Sequence, residues 1–235
     1  RKALYNADII VINHSLLLME ASKPGFLPEF KAVIVDEAHN LIKSAYDQFK
    51  VEWSEKGTLF LLQNVDPSHP RSMRWNNILD AINEIRPGVN QLKDELQASV
   101  KNANKKLKNF THVLNTYNEN RFNPTKQYQE KPILGSIEKA YAPVNSELND
   151  FKLELESIIM LLEKIKKIMM EIDLGRTDYP VMYSVLDRGL ENITVIIDSL
   201  VRLTENQDSG WVYWLEGDYF YYGTNRQKLE ISIHA

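Results

Sequence analysis

The chain has 235 residues, of which 43% are hydrophobic and 26% are charged, a composition that is ordinary for a globular protein of one or two domains. Its 28 basic and 32 acidic residues give a net charge of −4, so any contact with nucleic acid requires a local basic patch. The absence of cysteine excludes disulfides and thiolate metal sites within the chain and favours a cytoplasmic protein. The longest aliphatic run, residues 158–162, is too short to span a membrane, and a start at Arg1 rather than Met predicts a fragment of a larger protein.

The beginning of the chain predicts a strand, a helix and a second strand. Residues 9–12 form a short apolar run rich in β-branched side chains, and a helix that Asn13 or Ser15 can cap follows it. A loop that contains proline and glycine leads to a second apolar run at 32–35. Two strands joined by a helix are typical of a βαβ unit and predict a parallel sheet. His14 is predicted to be a structural hydrogen-bonding residue, since no second ligand stands at metal-binding spacing.

Two adjacent carboxylates and a histidine follow the second run directly, as Asp36-Glu37-Ala38-His39. The carboxyl ends of parallel strands are where α/β proteins bind ligands, so this edge suits a nucleotide-hydrolysing site. Asp36 can hold Mg²⁺ through a water ligand, and Glu37 can orient or deprotonate an attacking water. The alternative is that both are ordinary acids at the start of a helix, where the helix dipole stabilises them. The strand in front of the motif favours the functional interpretation.

Residues 33–39 resemble the DEAH-type Walker B motif of superfamily 2 helicases. Upstream, residues 7–18 are similar to the strand and "NHALLL" stretch that precede this motif in DinG-like, XPD-related DNA helicases. Both blocks stand in the order found in that family, and the specific resemblance covers residues 1–45. It implies a fragment of the first helicase domain, with a partial RecA-like parallel sheet of the α/β class.

The resemblance also implies site residues, cofactors and partners. Asp36 would be the Mg²⁺-associated carboxylate, Glu37 would activate the hydrolytic water, and His39 would link the nucleotide site to other elements of the motor. ATP and single-stranded DNA would be the substrates, and enzymes of this kind move along the strand from 5′ to 3′. Many members carry a four-cysteine iron–sulphur cluster, whose ligands would lie upstream of Arg1.

The middle of the chain predicts several long amphipathic helices. Apolar residues recur at steps of three and four over 75–85, 89–117, 148–172 and 182–203. Apolar stripes of this length must be buried against one another, which predicts a large helical bundle and a mostly α protein overall. We assign residues 51–205 to this bundle, and the resemblance implies that it is the arch domain, which helps to enclose the DNA strand.

From Gly210 the apolar period changes to that of β-strands. Aromatic and aliphatic residues predict three short strands, at 211–215, 219–222 and 229–233. Glu216-Gly217-Asp218 is the predicted turn between the first two. We assign residues 206–235 to the first helicase domain together with residues 1–50, so that the bundle is an insertion into a sheet domain. The aromatic side chains are predicted to fill one face of the sheet, and base stacking is the alternative.

A local cluster of lysines is the candidate for contact with nucleic acid. Lys101, Lys105, Lys106 and Lys108 have no acid between them, and spacings of three and four place several of them on one helix face. Such a cluster could bind phosphates. The alternative, which we favour at this stage, is a solvated face opposite the apolar seam of the helix.

The sequence contains no G-x-x-x-x-G-K-[ST] phosphate loop and no arginine-bearing motif of a second motor domain. Without a phosphate loop the carboxylates have no nucleotide to act on. We therefore predict that the chain alone has no ATPase activity and that the intact protein is an ATP-dependent DNA helicase. The alternative function is a non-catalytic interaction module, a helical bundle on a small α/β base, in which the Asp-Glu-Ala-His match is a coincidence.

Overall fold

The computed structural model describes residues 2–70, 73–123, 130–172, 179–205, 207–222 and 226–235. The chain divides into two compact units, Arg1–Val51 and Glu52–Ala235. Helices predominate in the described ranges and are joined by one small antiparallel sheet, so the prediction of a mostly α protein with a large helical part is confirmed.

The first unit contains three described helices, α1 (Lys2–Tyr5), α2 (His14–Ser22) and α3 (Ala38–Phe49). Helix α2 begins at His14 because the Asn13 side chain accepts a hydrogen bond of 2.9 Å from the Leu16 N–H, one of the donors that the first turn leaves free. Helix α2 packs against α3. Of the side chains that the structure describes in this unit, none is buried.

The predicted strands at 9–12 and 32–35 do not form. Neither segment pairs with another strand in the described part of the chain, and Ile9, Val11 and Ile34 are 83%, 92% and 96% exposed. A parallel strand is stable only where neighbouring strands take up its N–H and C=O groups, and the described residues of this unit supply no such neighbours. The sheet found in the described residues is antiparallel, and all of its strands lie in the second unit.

The second unit contains the long helices. In chain order its described helices are α4 (Glu55–Val65), α5 (Met73–Ile85), α6 (Val89–Asn118), α7 (Ile137–Tyr141), α8 (Asn145–Glu171) and α9 (Tyr179–Thr204), with 3₁₀ turns at Glu119–Arg121 and Ala142–Val144. The three longest coincide with amphipathic stretches of the sequence, so the helical periodicity is confirmed. Helix α6 follows Gly88, whose φ of 109° is a conformation that glycine adopts without steric cost.

One continuous apolar core holds these helices together. Helix α6 packs along α8, and α8 packs against α9. The inward face of α6 is completely buried and consists of Leu96, Val100, Ala103, Leu107, Phe110 and Leu114. The facing residues of α8 are equally buried and include Leu155, Ile158, Leu162 and Ile165. Because a buried Leu, Ile or Phe contributes about 1.5–3 kcal/mol, this seam is the main source of stability in the unit.

A small antiparallel sheet packs beside the helices. Its strands are β1 (Glu52–Trp53), β2 (Ile133–Leu134), β3 (Tyr213–Tyr222) and β4 (Arg226–His234), in the order β1-β4-β3-β2. Glu52 pairs with His234, so the residues at which the second unit begins and ends are adjacent. The Trp53 ring lies 5.2 Å from that of Phe110, which connects the sheet to the helical core.

The three short strands predicted near the end of the chain are two longer ones. Glu216-Gly217-Asp218 lies within β3 instead of forming a turn. Gly217 is buried, and a Cβ atom there would lie 2.6 Å from the Phe122 ring. The glycine therefore serves close packing rather than chain reversal, and a local sequence pattern cannot distinguish the two. The predicted second connection, at 223–225, lies outside the described residues.

The last strands pair with β1 and β2, which belong to the second unit. The assignment of residues 206–235 to the first helicase domain stays a prediction. Among the helices that the structure describes, none combines the length and the apolar character needed to cross a bilayer.

Candidate functional site

The Asp36-Glu37-Ala38-His39 segment forms the turn that leads into α3. Glu37 precedes the helix with φ 48° and ψ 46°, and it is the one non-glycine residue with positive φ in the described ranges. Its carbonyl accepts a hydrogen bond of 2.8 Å from the Asn40 N–H. The left-handed conformation costs a non-glycine residue about 1–2 kcal/mol, and such strain is concentrated at functional sites. Glu37 therefore adopts a backbone conformation that is unfavourable for a residue other than glycine.

Two hydrogen bonds hold Asp36, the first acid of the motif, in this turn, one to its carboxylate and one to its backbone carbonyl. Asp36 Oδ1 accepts from the Glu37 N–H at 2.9 Å. His14 donates from Nε2 to the Asp36 carbonyl at 3.0 Å, which connects the start of α2 to the motif. The prediction that His14 is a structural hydrogen-bonding residue is thus confirmed. His14 thus has a structural role at the motif although 22 residues separate it from Asp36 in the sequence.

The second carboxylate and the histidine of the motif lie side by side. Glu37 Oε2 is 3.3 Å from His39 Nδ1, and the two side chains are 65% and 73% exposed. Asp36 is exposed as well. The structure therefore brings the three predicted site residues together at an open surface, where a ligand can reach both carboxylates. Within the described residues, no group of three or more His, Cys, Asp or Glu side chains is arranged to hold a metal ion by itself.

Glu20 is a structurally important acid that the sequence analysis did not identify. Its carboxylate accepts three backbone hydrogen bonds, from Gly25 at 2.8 Å, from Phe26 at 2.8 Å and from Leu27 at 3.0 Å. These bonds, that from Gly25 first, lower the pKa of Glu20. The carboxylate thereby orders the connection between α2 and the motif. No sequence signal predicts this role, because an acid a few residues before a Pro-Gly pair is not a recognised motif.

The predicted lysine cluster separates into two groups. Lys106 forms an ion pair with Asp150 of α8, and this hydrogen bond raises the pKa of the lysine. It thus belongs to the contact between α6 and α8. Lys101, Lys105 and Lys108 are exposed. Three of the four predicted side chains therefore remain available to a ligand, and the fourth has a structural role.

The exposed lysines lead to a polar cleft between α6 and β4. The cleft has a volume of about 510 Å³, and its walls include Lys108 and His112 of α6, Glu55 of α4, and Lys228 of β4. Lys228 lies 3.4 Å from Glu55 and 3.3 Å from Glu230. Burial lowers the pKa of Lys228, but the two neighbouring carboxylates outweigh it, and the pKa is raised overall.

Asn115 lines this cleft and joins α6 to the sheet. It donates from Nδ2 to the Leu229 carbonyl at 2.8 Å and accepts from the Ile231 N–H at 3.2 Å. The side-chain amide therefore occupies two backbone groups of β4 that β1 is too short to reach. Such capping keeps a sheet edge from remaining unpaired.

His234 is buried in a polar cluster of the sheet, although its position in the sequence carries no signal. Its ring stacks on Trp214 at 5.2 Å, and its Nε2 lies 2.7 Å from Ser232 Oγ. Glu216 accepts hydrogen bonds from Lys131 at 2.7 Å and from the Trp214 indole at 2.9 Å. Burial raises the pKa of Glu216, but these bonds and the nearby His234 outweigh it and lower the pKa overall. Trp214 thus packs inside the sheet, as predicted for these aromatics, instead of being open to a base.

The chain was compared with known proteins. No family model matches it. It is 26% identical over 237 aligned residues to a protein of Haemophilus influenzae named ATP-dependent DNA helicase YoaA, and the match covers 99% of this chain and 30% of that relative. The chain thus spans less than a third of the length of this relative. A relationship to a DNA helicase is supported at this coarse level: the chain is similar, along nearly its whole length, to one part of such an enzyme.

Proposed function

We propose that the chain is part of an ATP-dependent DNA helicase, with Asp36-Glu37-Ala38-His39 as its Walker B motif. The observation that carries the proposal is the similarity to a protein of that name over 99% of the chain, since a four-residue motif alone is weakly specific.

The donor set of the motif fits magnesium and a nucleotide. Carboxylate oxygens are the hard ligands that Mg²⁺ prefers, and the ion keeps several waters while it binds one or two carboxylates and the phosphates of a nucleotide. Asp36 would hold the hydrated ion, and ATP and water would supply the remaining ligands. The ion neutralises charge on the phosphates when it is bound.

The protein's own residues have distinct tasks in this proposal. Glu37 orients the attacking water and takes up its proton, for which its exposed carboxylate is suited. His39 Nδ1 lies 3.3 Å from Glu37 Oε2 and links the nucleotide site to other elements of the motor. His14 donates a hydrogen bond to the Asp36 carbonyl and thereby holds the motif next to the first turn of α2.

The exposed apolar segments of the first unit support the view that neighbouring parts of the motor are needed. Ile9, Val11 and Ile34 are almost fully exposed, which costs solvation free energy unless another surface covers them. In the proposal, further strands of the first helicase domain pair with 9–12 and 32–35. The three-part organisation, with residues 1–50 and 206–235 in that domain and residues 51–205 as the arch, belongs to the same proposal.

The movement from 5′ to 3′ on single-stranded DNA, and an iron–sulphur cluster upstream of Arg1, are part of the proposal as well. Both are implied by the resemblance of residues 1–45 to DinG-like helicases. The helical unit would lie beside the strand and help to enclose it.

The proposal is tested with Glu37→Gln in the intact parent protein. General acid–base catalysis contributes about 10²–10⁴-fold, so DNA-stimulated ATP hydrolysis should fall by at least about 100-fold while ATP binding persists. Glu29→Gln is the matched control, because Glu29 is an exposed acid of the same unit outside the motif. An unchanged rate for Glu37→Gln would contradict the assignment and would favour a non-catalytic interaction module.

The chain alone is expected to show no ATPase activity, because its sequence contains no phosphate loop. A coupled assay with purified chain, Mg²⁺ and single-stranded DNA measures this directly. Magnesium-dependent turnover that co-purifies with the chain and disappears in Glu37→Gln would overturn this expectation.

A further inference from the structure

One face of α6 carries a row of basic side chains, three lysines and one histidine. Lys101, Lys105, Lys108 and His112 follow one another at steps of four, three and four residues, which places them on a single line along the helix. We call these four residues the α6 cationic stripe. All four are exposed, and they lie on the side of the helix opposite the buried seam that includes Leu107 and Phe110. The stripe is therefore set by the same helical register that sets the core.

The stripe contains no acidic side chain, whereas an ordinary solvent-exposed helix face mixes acidic and basic residues. No Asp or Glu occurs from Leu96 to Asn118, although the chain has 32 acids among 235 residues. Helix α8 provides the comparison within the same bundle, because its solvent face mixes signs with Glu156, Glu163, Lys164 and Lys167 all exposed. Solubility alone is achieved by interspersed charges. A face with charges of one sign indicates attraction to an anion.

The lysine with a structural role lies outside the stripe. Lys106 points across to α8, where Asp150 neutralises it. No ion pair within the described residues involves Lys101, Lys105 or Lys108. The bundle thus pairs the lysine that it needs for packing and leaves the three on the stripe uncompensated.

The stripe ends in the polar cleft described above. Lys108 and His112 line the cleft on the side of α6, whereas Lys228 of β4 is already paired with Glu55 and Glu230. Because Glu55 and Glu119 also line the cleft, the unpaired positive charge belongs to the stripe. A volume of about 510 Å³ is typical of sites for small ligands and is large enough for a group of nucleotide size. From Lys101 to His112 the stripe is about 16 Å long at 1.5 Å per residue, which suits one extended strand.

We infer that the α6 cationic stripe binds the phosphate backbone of single-stranded nucleic acid. Lysines act as point charges that attract phosphates without sequence preference, and the exposed amides of Asn102 and Asn109 beside them can donate hydrogen bonds to phosphate oxygens. The inference rests on the proposed function, in which the helical unit lies beside the DNA strand. It deepens that function by naming the helix face and the side chains that contact the strand.

The test compares the whole chain with two triple variants in a fluorescence-anisotropy assay with a labelled oligothymidylate over a series of salt concentrations. The stripe variant is K101Q/K105Q/K108Q, and the matched control is K139Q/K164Q/K167Q, which removes the same charge from exposed positions of α7 and α8. Glutamine is a good helix former, so both variants should fold, and the circular dichroism and thermal midpoint of each verify this. The variant K101R/K105R/K108R keeps the charge and tests whether charge is what matters.

Each phosphate contact contributes about −0.7 to the slope of log K against log salt for a single strand. Loss of three lysines should therefore make the slope shallower by about 2 and abolish most binding at moderate salt. The control and the arginine variant should keep the slope of the unmodified chain. Equal slopes for the stripe variant and the unmodified chain would overturn the inference while leaving DNA binding elsewhere in the helicase intact.

Two further outcomes also decide the matter. If polyglutamate of equal charge competes as well as an unlabelled DNA strand, the stripe is a site for acidic proteins and the inference is overturned. If the unmodified chain does not bind the oligothymidylate at low salt, the inference is overturned as well. The motor assignment would survive both outcomes, because it is decided separately by the Glu37→Gln experiment in the parent protein.

Discussion

The two units of the chain differ in whether their apolar side chains are buried. In Glu52–Ala235 the apolar seams of the helices are buried against one another, and residues such as Leu107 and Leu155 have no exposed surface. In Arg1–Val51, Ile34 and Val11 are almost fully exposed, and no described side chain is buried. Both regions have strongly apolar segments, so hydrophobicity alone does not produce a core. A core also requires that the partners of each segment are present.

This difference in burial arises because helices and parallel strands need different hydrogen-bonding partners. A helix satisfies its own backbone hydrogen bonds and needs only one face covered, which neighbouring helices of the same chain segment provide. A parallel strand needs hydrogen-bonding neighbours on both sides and cover on both faces. The second unit therefore buries its own apolar seams, whereas in the proposed function the candidate catalytic motif lies in a unit whose apolar segments pair with further strands.

The largest effect is expected from Phe110→Ala, which removes a completely buried ring that contacts Trp53. Loss of a buried phenylalanine costs about 3–5 kcal/mol, and urea unfolding of the whole chain measures it. Ile34→Ala is the matched change in the first unit and should cost less than about 0.5 kcal/mol, because that side chain is exposed.

The same Ile34→Ala change sharpens the comparison in the intact parent protein. If further strands cover the residue there, its loss should cost about 2–5 kcal/mol. An equally small effect in both proteins would contradict the view that a missing part of the motor covers this segment.

An intermediate effect is expected from Gly217→Ala. The added Cβ would lie 2.6 Å from the Phe122 ring, and overpacking of this kind typically costs about 1–3 kcal/mol. In a Phe122→Ala background the same change should cost less, since alanine lacks all three ring atoms that a Cβ at Gly217 would meet. Gly135→Ala is the control, because no atom lies within 4 Å of a Cβ at that position. A Gly217→Ala loss that is equally large in the Phe122→Ala background would show that the strand backbone, not the ring, is the constraint.

The smallest effect concerns the ordered connection of the first unit and depends on pH. Bonds from Gly25, Phe26 and Leu27 hold the pKa of Glu20 below its ordinary value of 4.5. A carboxyl group whose pKa is lower in the folded state stabilises that state above the unfolded pKa, and this contribution is lost as the pH falls through the folded pKa. The order of the connection should therefore persist at neutral pH and disappear below pH 4.5.

The amide resonances of the same three residues measure this effect in an NMR titration. They should shift together with one midpoint below 4.5. Glu20→Gln should remove the common transition, since its side chain does not titrate. Independent movement of the three amides would mean that Glu20 does not hold them.

The amphipathic helices could be predicted closely from the sequence because their determinants are local. Steps of three and four between apolar residues place α6 and α8 with the correct seams, and the motif Asp36-Glu37-Ala38-His39 is identified from four consecutive letters. The role of Gly217 could not be predicted, because it depends on Phe122, which is distant in sequence. The role of Glu20 and the capping of β4 by Asn115 depend in the same way on partners that the sequence pattern does not reveal.

The sequence by itself determined the mostly helical class and the long apolar seams of the helices. Those features arise from helical periodicity and from side chains that are neighbours along the chain. Only the tertiary structure decided which lysine of α6 is neutralised by Asp150 and which remain in line beside the cleft. It also decided that two apolar segments have no strand neighbours among the described residues. The physical reason is that charge pairing and strand pairing are contacts between distant parts of a chain, and their outcome depends on which partners the folded molecule brings within reach.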